Sequence, residues 1–469
     1  MTTRPAPSTM PATTSGTVGG RGSETSPASP PARDGVRIGP RQLLRVRRLW
    51  TVPVLVGSIM LVLISGVYIA SVVNPVGHLH GLPVAIVNQD TGATVAGRHV
   101  ALGAELQSGL IGSGAVASRL SLIPERLSRA QQRMNHDGAY ATLVIPRNFT
   151  ASLLGLTGAN ERADASPGRP TVKVLANRRA GTVGVELASG VLQPALARAS
   201  QRIGRQLLSA ARPAPASSAA AVLADPITVS SVDYRPLRTH SALGLSAFYI
   251  ALLTIMSGFL AGTIIQAAVD AATGYATSEL GPRWHQRPPL PISRRQTLLT
   301  KWAMALPITG LLTALMLGVA VGLLGMDAPD VGVLWLFTWL AAAAVAAGTL
   351  ALFAALGTQG QLVALLLFVY LGLASAGGTV PLQALPAPLH LLSQIEPLRQ
   401  ILAGTRAILY YGAAGDAGLT RGLIAALAGL IIWLAAGTAI TTFYDRKGFY
   451  RMRPDVLAYV HRAINAHHT

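Results

Sequence analysis

No cysteine occurs in the 469 residues, which excludes a disulfide framework, a thiol nucleophile and a Cys-based metal site. Charge is scarce too. Asp, Glu, Lys and Arg make up 12% of the chain against 51% hydrophobic residues, a ratio that excludes an ordinary soluble enzyme. Acidic residues are the rarer sign, 19 against 38 basic, giving a net charge of +19. That excess does not indicate a nucleic-acid partner, because the basic residues are dispersed and flank apolar runs as orientation signals do. Lysine stands only at 173, 301 and 447, none of them in a phosphate-cradling G-x-x-x-x-G-K-[ST] loop. No cofactor is therefore expected on this chain, and any ATP-driven activity requires a separate ATP-binding subunit. The apolar runs are nearly free of ionisable residues, with Asp270 at the end of one the closest, which argues against an ion-coupled carrier.

Long apolar runs are what the chain has instead. Several exceed the ~20 residues needed to cross a bilayer, so a polytopic α-helical membrane protein is expected, with lipid as its first partner. Residues 1–35, rich in Ser, Thr, Pro, Gly and Ala, read as a disordered cytoplasmic tail. Residues 36–73 are a basic juxtamembrane segment (Arg37, Arg41, Arg45, Arg47, Arg48) and a first transmembrane helix. A cleaved signal peptide is the rival reading. Its apolar region would be unusually long, and a cut after Ala70 would need a small residue where Tyr68 stands.

Residues 74–241 contain no spanning run. Leu82–Asn88, 118–123, 139–145, 171–176 and 227–234 read as strands. Arg98–Ile111, a polar stretch from Pro124 to Met134, and 182–211 read as helices. Alternation of the two predicts an α/β domain inserted between spans one and two. Residues 242–443 hold five further spans, near 243–268, 303–325, 332–356, 361–376 and 421–443, and 444–469 form a basic tail. Six spans, one plus five, with both termini in the cytoplasm and 74–241 outside the plasma membrane satisfy the positive-inside rule at every short loop.

Two connections stand out. In the inner loop, 269–302, Ser293 and Gln296 have capping-box spacing, so a helix should start there. Its first turns carry Arg294, Arg295 and Lys301 at the membrane surface. The loop is either an ordinary positively charged interfacial segment or a docking element that receives force from a cytoplasmic partner. The outer stretch, 375–412, is too apolar for a loop, yet Gly377, Gly378, Pro381, Pro386, Pro388 and Pro397 break it too often for a spanning helix. A re-entrant or surface-lying segment is expected, with Glu396, Arg399 and Arg406 pairing or lying at the headgroups.

Catalytic signals are weak. His78-Leu-His80 has no carboxylate or third His nearby, and His461, His467 and His468 lie in the polar tail, so no metal site is expected. Asn148-Phe-Thr150 reads as a helix start rather than a glycosylation acceptor. No Ser/His/Asp or paired-carboxylate arrangement stands out, and the chain is not expected to be an enzyme.

Glu279-Leu-Gly, Pro291-Ile-Ser-Arg294 and Lys301 before a span resemble the inner loop of ABC-2 type transporter permeases. Gly377-Gly-Thr-Val-Pro381, Leu385-Pro386 and Glu396-Pro397-Leu-Arg399 look like the segment before their last span. Leu82-Pro-Val-Ala-Ile-Val-Asn88 and Tyr140-Ala-Thr-Leu-Val-Ile-Pro146 narrow the resemblance to the phage-infection-protein-like (Pip-like) branch, over roughly residues 45 to 450. The resemblance implies an export-type permease fold, a homodimer and in some members a separate ATPase. It makes Glu279, Pro291, Ser293, Arg294, Arg295 and Lys301 a candidate coupling loop. Gly377, Gly378, Pro381, Pro386, Glu396, Pro397, Arg399 and Arg406 become a candidate outer gate. The inner loop departs from the family pattern where Trp284-His-Gln-Arg287 runs into Pro288-Pro289. Two functions follow: a permease-like subunit exporting an amphiphilic compound, drug or envelope component, or a non-transporting envelope protein whose ectodomain binds a secreted protein, cell-wall polymer or phage.

Overall fold

The computed structural model describes residues 45, 47–95, 97–157, 168–210, 217–280, 283–285, 287–449 and 451, with Asp455, Ala458, Tyr459 and Arg462 beyond them. The expected tail 1–35 and most of 444–469 lie outside the described residues. The chain divides into two units, 1–59 and 60–469. Helix α1, Arg47–Val72, runs across that division, and its Pro53–Val72 portion is long and apolar enough to cross a membrane.

After the end of α1, the second unit carries the α/β domain. Strands β1 (Leu82–Asn88), β2 (Leu120–Pro124), β3 (Ala141–Ile145), β4 (Thr171–Ala176) and β5 (Thr228–Asp233) form one sheet in the order β2-β1-β3-β4-β5. β1 is parallel to both β2 and β3, with Leu82 opposite Leu120 and Val84 opposite Ala141. β3 and β4 are antiparallel, and β5 runs parallel to β4. The interleaved helices are α2 (Leu102–Ile111), α3 (Leu127–Asn135), α4 (Phe149–Gly155) and α5 (Thr182–Ala210). Side chains alternate across a strand, so one sequence feeds two cores. Val84, Ile86, Leu143 and Ile145 meet α2, α4 and α5 through Leu106, Phe149, Leu192 and Leu196. Ala85, Val87 and Val144 meet α3 through Ala130. Central strands buried on both faces explain why β1 and β3 read as continuous apolar runs. The sequence places a helix start at Arg98. In the structure Arg98–Val100 pairs with Ala93–Val95 as a short hairpin, and α2 starts at Leu102.

The bundle is built from α6 (Ser246–Ala272), α7 (Arg294–Leu317), α8 (Val331–Leu356), α9 and α11 (Thr420–Arg446), with α10 (Pro397–Tyr410) against it. α9 covers residues 360–375 and is π-helical over Leu365–Tyr370. α8 is the hub. Gly258 of α6 lies against Ala342 and Val345, and Gly262 against Ala346 and Thr349, so α6 and α8 run parallel at close approach. This is the small-xxx-small contact that brings membrane helices together without a hydrophobic drive. The indole N–H groups of Trp302, Trp335 and Trp339 mark α7 as antiparallel to α8, donating across the α7/α8 contact to Ala347 O, Gly310 O and Leu306 O. Gly357, at φ 64, reverses the chain, and Phe368 of α9 returns to Gly348. Trp433 and Tyr444 of α11 reach Gly348 and Ala355 O, so α11 is parallel to α8.

Five stretches among the described residues are long and apolar enough to span: Pro53–Val72, Ser246–Ala272, Arg294–Leu323, Val331–Ser375 and Gly415–Arg446. The 45-residue fourth stretch contains both α8 and α9, two antiparallel helices that the sequence reading counts as separate spans. α9, at ~1.5 Å per residue, is about 24 Å long, short of a ~30 Å hydrocarbon core. The bundle has a domain end, where the α/β domain contacts it, and a far end.

Candidate functional site

At the far end, α6 finishes with Gln266 and Asp270 one turn apart on the same face. Gln266 Nε2 donates to Asp270 Oδ2 over 2.8 Å. Lys301 of α7 enters from the neighbouring helix and donates to Asp270 Oδ1 (2.6 Å) and Gln266 Oε1 (2.7 Å). Arg451, beyond α11, completes the cluster at 2.8 Å from Asp270 Oδ2, its guanidinium lying 4.4 Å above the Tyr275 ring. The Lys301 and Asp270 side chains are only 5% and 13% exposed. This corrects the expectation that Lys301 lies at the membrane surface: it turns inward because Asp270 and Gln266 are the polar partners within its reach.

Around the cluster the capping box is present as its spacing predicts. Ser293 Oγ accepts from Gln296 N and Gln296 Oε1 accepts from Ser293 N. The end of α11 adds a second cap, since Asp445 accepts from the backbone N–H groups of Arg294 and Arg295 (3.2 Å each). Arg294 donates to Phe449 O and lies over Tyr444. Pro291 precedes the cap in irregular backbone, and Glu279 belongs to a hairpin of Ser278–Leu280 with Arg283–His285. A polar cavity of about 530 Å³ opens among these residues, lined by Thr263, Asp270, Tyr275, Lys301, Gln361 and Arg451.

At the domain end, residues 375–412 lie between bundle and α/β domain: Ala384 joins the domain core and Ala376, Leu398 and Ile401 join the bundle core, while Leu391 and Ile395 stay exposed. Gly377 takes φ 73, and its carbonyl accepts from Arg406 Nη2 at 3.4 Å. Gly378 lies against Phe248, where a larger residue has no room. Pro381 precedes a 3-10 turn at Leu382–Ala384, and Pro386 precedes the helix Ala387–Leu392. Glu396 caps α10 through Leu398 N and Arg399 N (2.8 and 2.9 Å), with Pro397 in the first turn. Arg399 donates to Ser393 O and Oγ. Glu396, Arg399 and Arg406 are paired within the protein, the first of the two alternatives left open by the sequence. Burial pushes the Glu396 carboxyl up to about 7, against the lowering effect of its two N–H donors and Arg399.

Across this layer sits Asp137, in the left-handed region at φ 56 in the turn after α3. It accepts from Tyr411 OH (3.1 Å) and faces Arg406 at 4.0 Å. Burial lifts its carboxyl to about 6, while Arg406 and Tyr411 pull the other way. Arg179 to Tyr410 O, His136 to Asp416 and Arg238 to Asp327 make further polar ties between the domain and the bundle. Below His136, Asp137, Asp416 and Arg421, a cavity of about 1030 Å³ descends along α8, α9 and α11 to Phe368 and Trp433. Its mouth is charged and its walls are apolar. Phe368 and Trp433 pack edge to face, 5.8 Å apart, against Gly348 in its wall. The polar cavity meets α8 at Leu350, Phe353 and Ala354, about half a turn round the helix from the Ala341, Ala344 and Val345 that line the apolar one.

The structure thus brings together three candidate far-end residues, Ser293, Arg294 and Arg295, through the α7 cap, and gives Lys301 different partners. Asp137, Tyr411, Gln266, Asp445 and Arg451 were not singled out in sequence. Gln266 and Asp270, four apart in an apolar run, were the one available signal.

The fold defines a multi-pass membrane protein with an α/β domain seated on one end of its helical bundle. The chain belongs to the family described as Protein of unknown function (DUF3533), whose model matches residues 52–433. No curated protein matches it. A crystal structure of a domain attributed to an ABC type-2 transporter from Thermotoga maritima MSB8 is similar at 19% identity and a TM-score of 0.23, covering 32% of this chain and 85% of that one. A TM-score that low does not establish a shared fold.

Proposed function

We propose that the chain is a permease-like membrane subunit that moves an amphiphilic compound, drug or envelope component outward. The observation that carries this reading is the apolar cavity of about 1030 Å³ with charged groups at the domain end, a size that suits an amphiphilic molecule, together with a polar cavity at the far end of the same bundle on the opposite face of α8. Joining the two into one path requires α8 and its neighbours to rearrange, as helices that rock between states do. In this reading the far end is cytoplasmic, in keeping with Arg283, Arg287, Arg294, Arg295, Arg446 and Lys447 there, and residues 74–241 are outside. A separate ATP-binding subunit drives the chain from the α7 end, the permease works as a homodimer in the plasma membrane, and the chain itself catalyses no covalent chemistry. The test combines crosslinked affinity purification with efflux of amphiphilic dyes from intact cells. The reading expects a co-purifying ATPase and raised dye retention in the deletion strain; neither result appearing overturns it.

A second reading is favoured by one feature of the domain. Among the described residues β5 pairs only with β4, and five of its six residues are exposed, leaving an open sheet edge. A non-transporting envelope protein would use such an edge to hold a secreted protein. In that case deleting residues 82–235 abolishes function, while substitutions at Arg294 and Trp433 are silent; the permease reading expects both substitutions to impair export.

A further inference from the structure

The far-end cluster holds two cations on one carboxylate, and they are held differently. Lys301 is fixed: it belongs to α7, is 5% exposed and has Gln266 as a second partner. Arg451 comes from five positions past the last residue of α11, is 20% exposed, and has its ties at Asp270 Oδ2 and the Tyr275 ring. Gly448, at φ 69, turns the chain so that this side chain points back into the bundle. A carboxylate oxygen beside an aromatic face is a recognition pair for guanidinium and alkylammonium groups. The surrounding cavity of about 530 Å³ exceeds what one guanidinium fills, and Thr263, Thr358, Gln361 and Thr441 add polar wall. Lys301 already neutralises Asp270, so a monovalent cation entering the site replaces Arg451 charge for charge.

We propose that Asp270 and Tyr275 form a binding site for the cationic head group of an organic cation, and that Arg451 is a tethered competitor that occupies it in the resting protein. The tail thus restrains the bundle from within, and cargo loading begins by displacing Arg451. The purpose given to the site rests on the permease reading, whereas its test is equilibrium binding and requires no transport. Loss of efflux without loss of binding is therefore distinguishable from the reverse.

The probe is benzamidinium, titrated by calorimetry into the full-length protein in nanodiscs, with benzamide as neutral isostere and empty nanodiscs as blank. Arg451→Ala removes an intramolecular competitor and is expected to tighten benzamidinium binding at least ~10-fold over the native protein. Tyr275→Leu on that background is expected to weaken it again by about 10-fold, a cation–π contribution. Asp270→Asn on the same background abolishes it. Because that last change leaves Lys301 uncompensated and can unfold the bundle, the Tyr275 variant, which leaves the Asp270–Lys301 pair whole, keeps the test decisive. Equal affinity of native and Arg451→Ala proteins, binding of benzamide as tight as benzamidinium, or no effect of Tyr275→Leu each overturns the proposal.

Discussion

Lys301 occupies a position that an apolar side chain would fill without desolvation cost, and its charge is balanced there by Asp270. Removing one member of such a pair strands the other, at a cost of about 3–5 kcal/mol, whereas replacing both with apolar residues of similar size is close to neutral. Asp270→Leu, which strands Lys301, is therefore expected to lower the unfolding temperature sharply, Lys301→Met less so because Arg451 still pairs with Asp270, and Asp270→Leu/Lys301→Met to recover most of the first loss; a double-mutant cycle in detergent measures it. Asp137 makes a pH-dependent contribution. Its carboxyl is raised from an ordinary 3.8 to about 6, so the folded state holds the proton more tightly than the unfolded chain. That stability is fully present below about 4 and is lost as pH rises through about 6, by about 3 kcal/mol. Glu396, raised from 4.5 to about 7, acts in the same sense. Thermal unfolding followed from pH 5 to 7.5 should show stability falling, and Asp137→Asn should flatten the lower part of that slope.

Among the elements, α9 shapes the wall of the larger cavity. It is folded back on α8 by Gly357 and wound as a π-helix over Leu365–Tyr370, which sets Phe368 against Trp433 and Gly348. A Cβ at Gly348 would stand 2.6 Å from Phe368 and 2.8 Å from the Trp433 indole nitrogen, so no side chain fits without displacing the two rings. Gly348→Leu is expected to cost about 1–3 kcal/mol by overpacking, read as a lower unfolding temperature. Trp433→Ala removes an aromatic wall of the apolar cavity and is expected to weaken binding of an amphiphilic dye, followed by fluorescence polarisation in detergent. The capping box of α7 was legible from Ser293 and Gln296 alone because a cap is a local interaction over three residues. The second cap, from Asp445, was not, because 150 residues separate donor and acceptor.

Across the whole molecule, the α/β domain and the 375–412 layer are joined by the contacts of Asp137, His136 and Arg179 with α10 and the residues after it. Movement of the domain is thereby tied to the mouth of the larger cavity. Excising 82–235 is expected to expose Tyr411 and Arg406 and raise their labelling by water-soluble reagents, checked by mass spectrometry. The class of this protein was written in composition: long apolar runs leave the chain no alternative to spanning a bilayer, and period-two against helical patterning marks strands and helices of the domain. Individual elements were legible because local periodicity and breakers set them, as in β1, β3 and α5. The order of strands in the sheet, the pairing of Lys301 with Asp270, the return of Arg451 and the contact of Phe368 with Trp433 were decided only by the tertiary structure. Each depends on which distant side chains meet, and an apolar helix presents nearly the same surface on every face, so its sequence does not specify its neighbours.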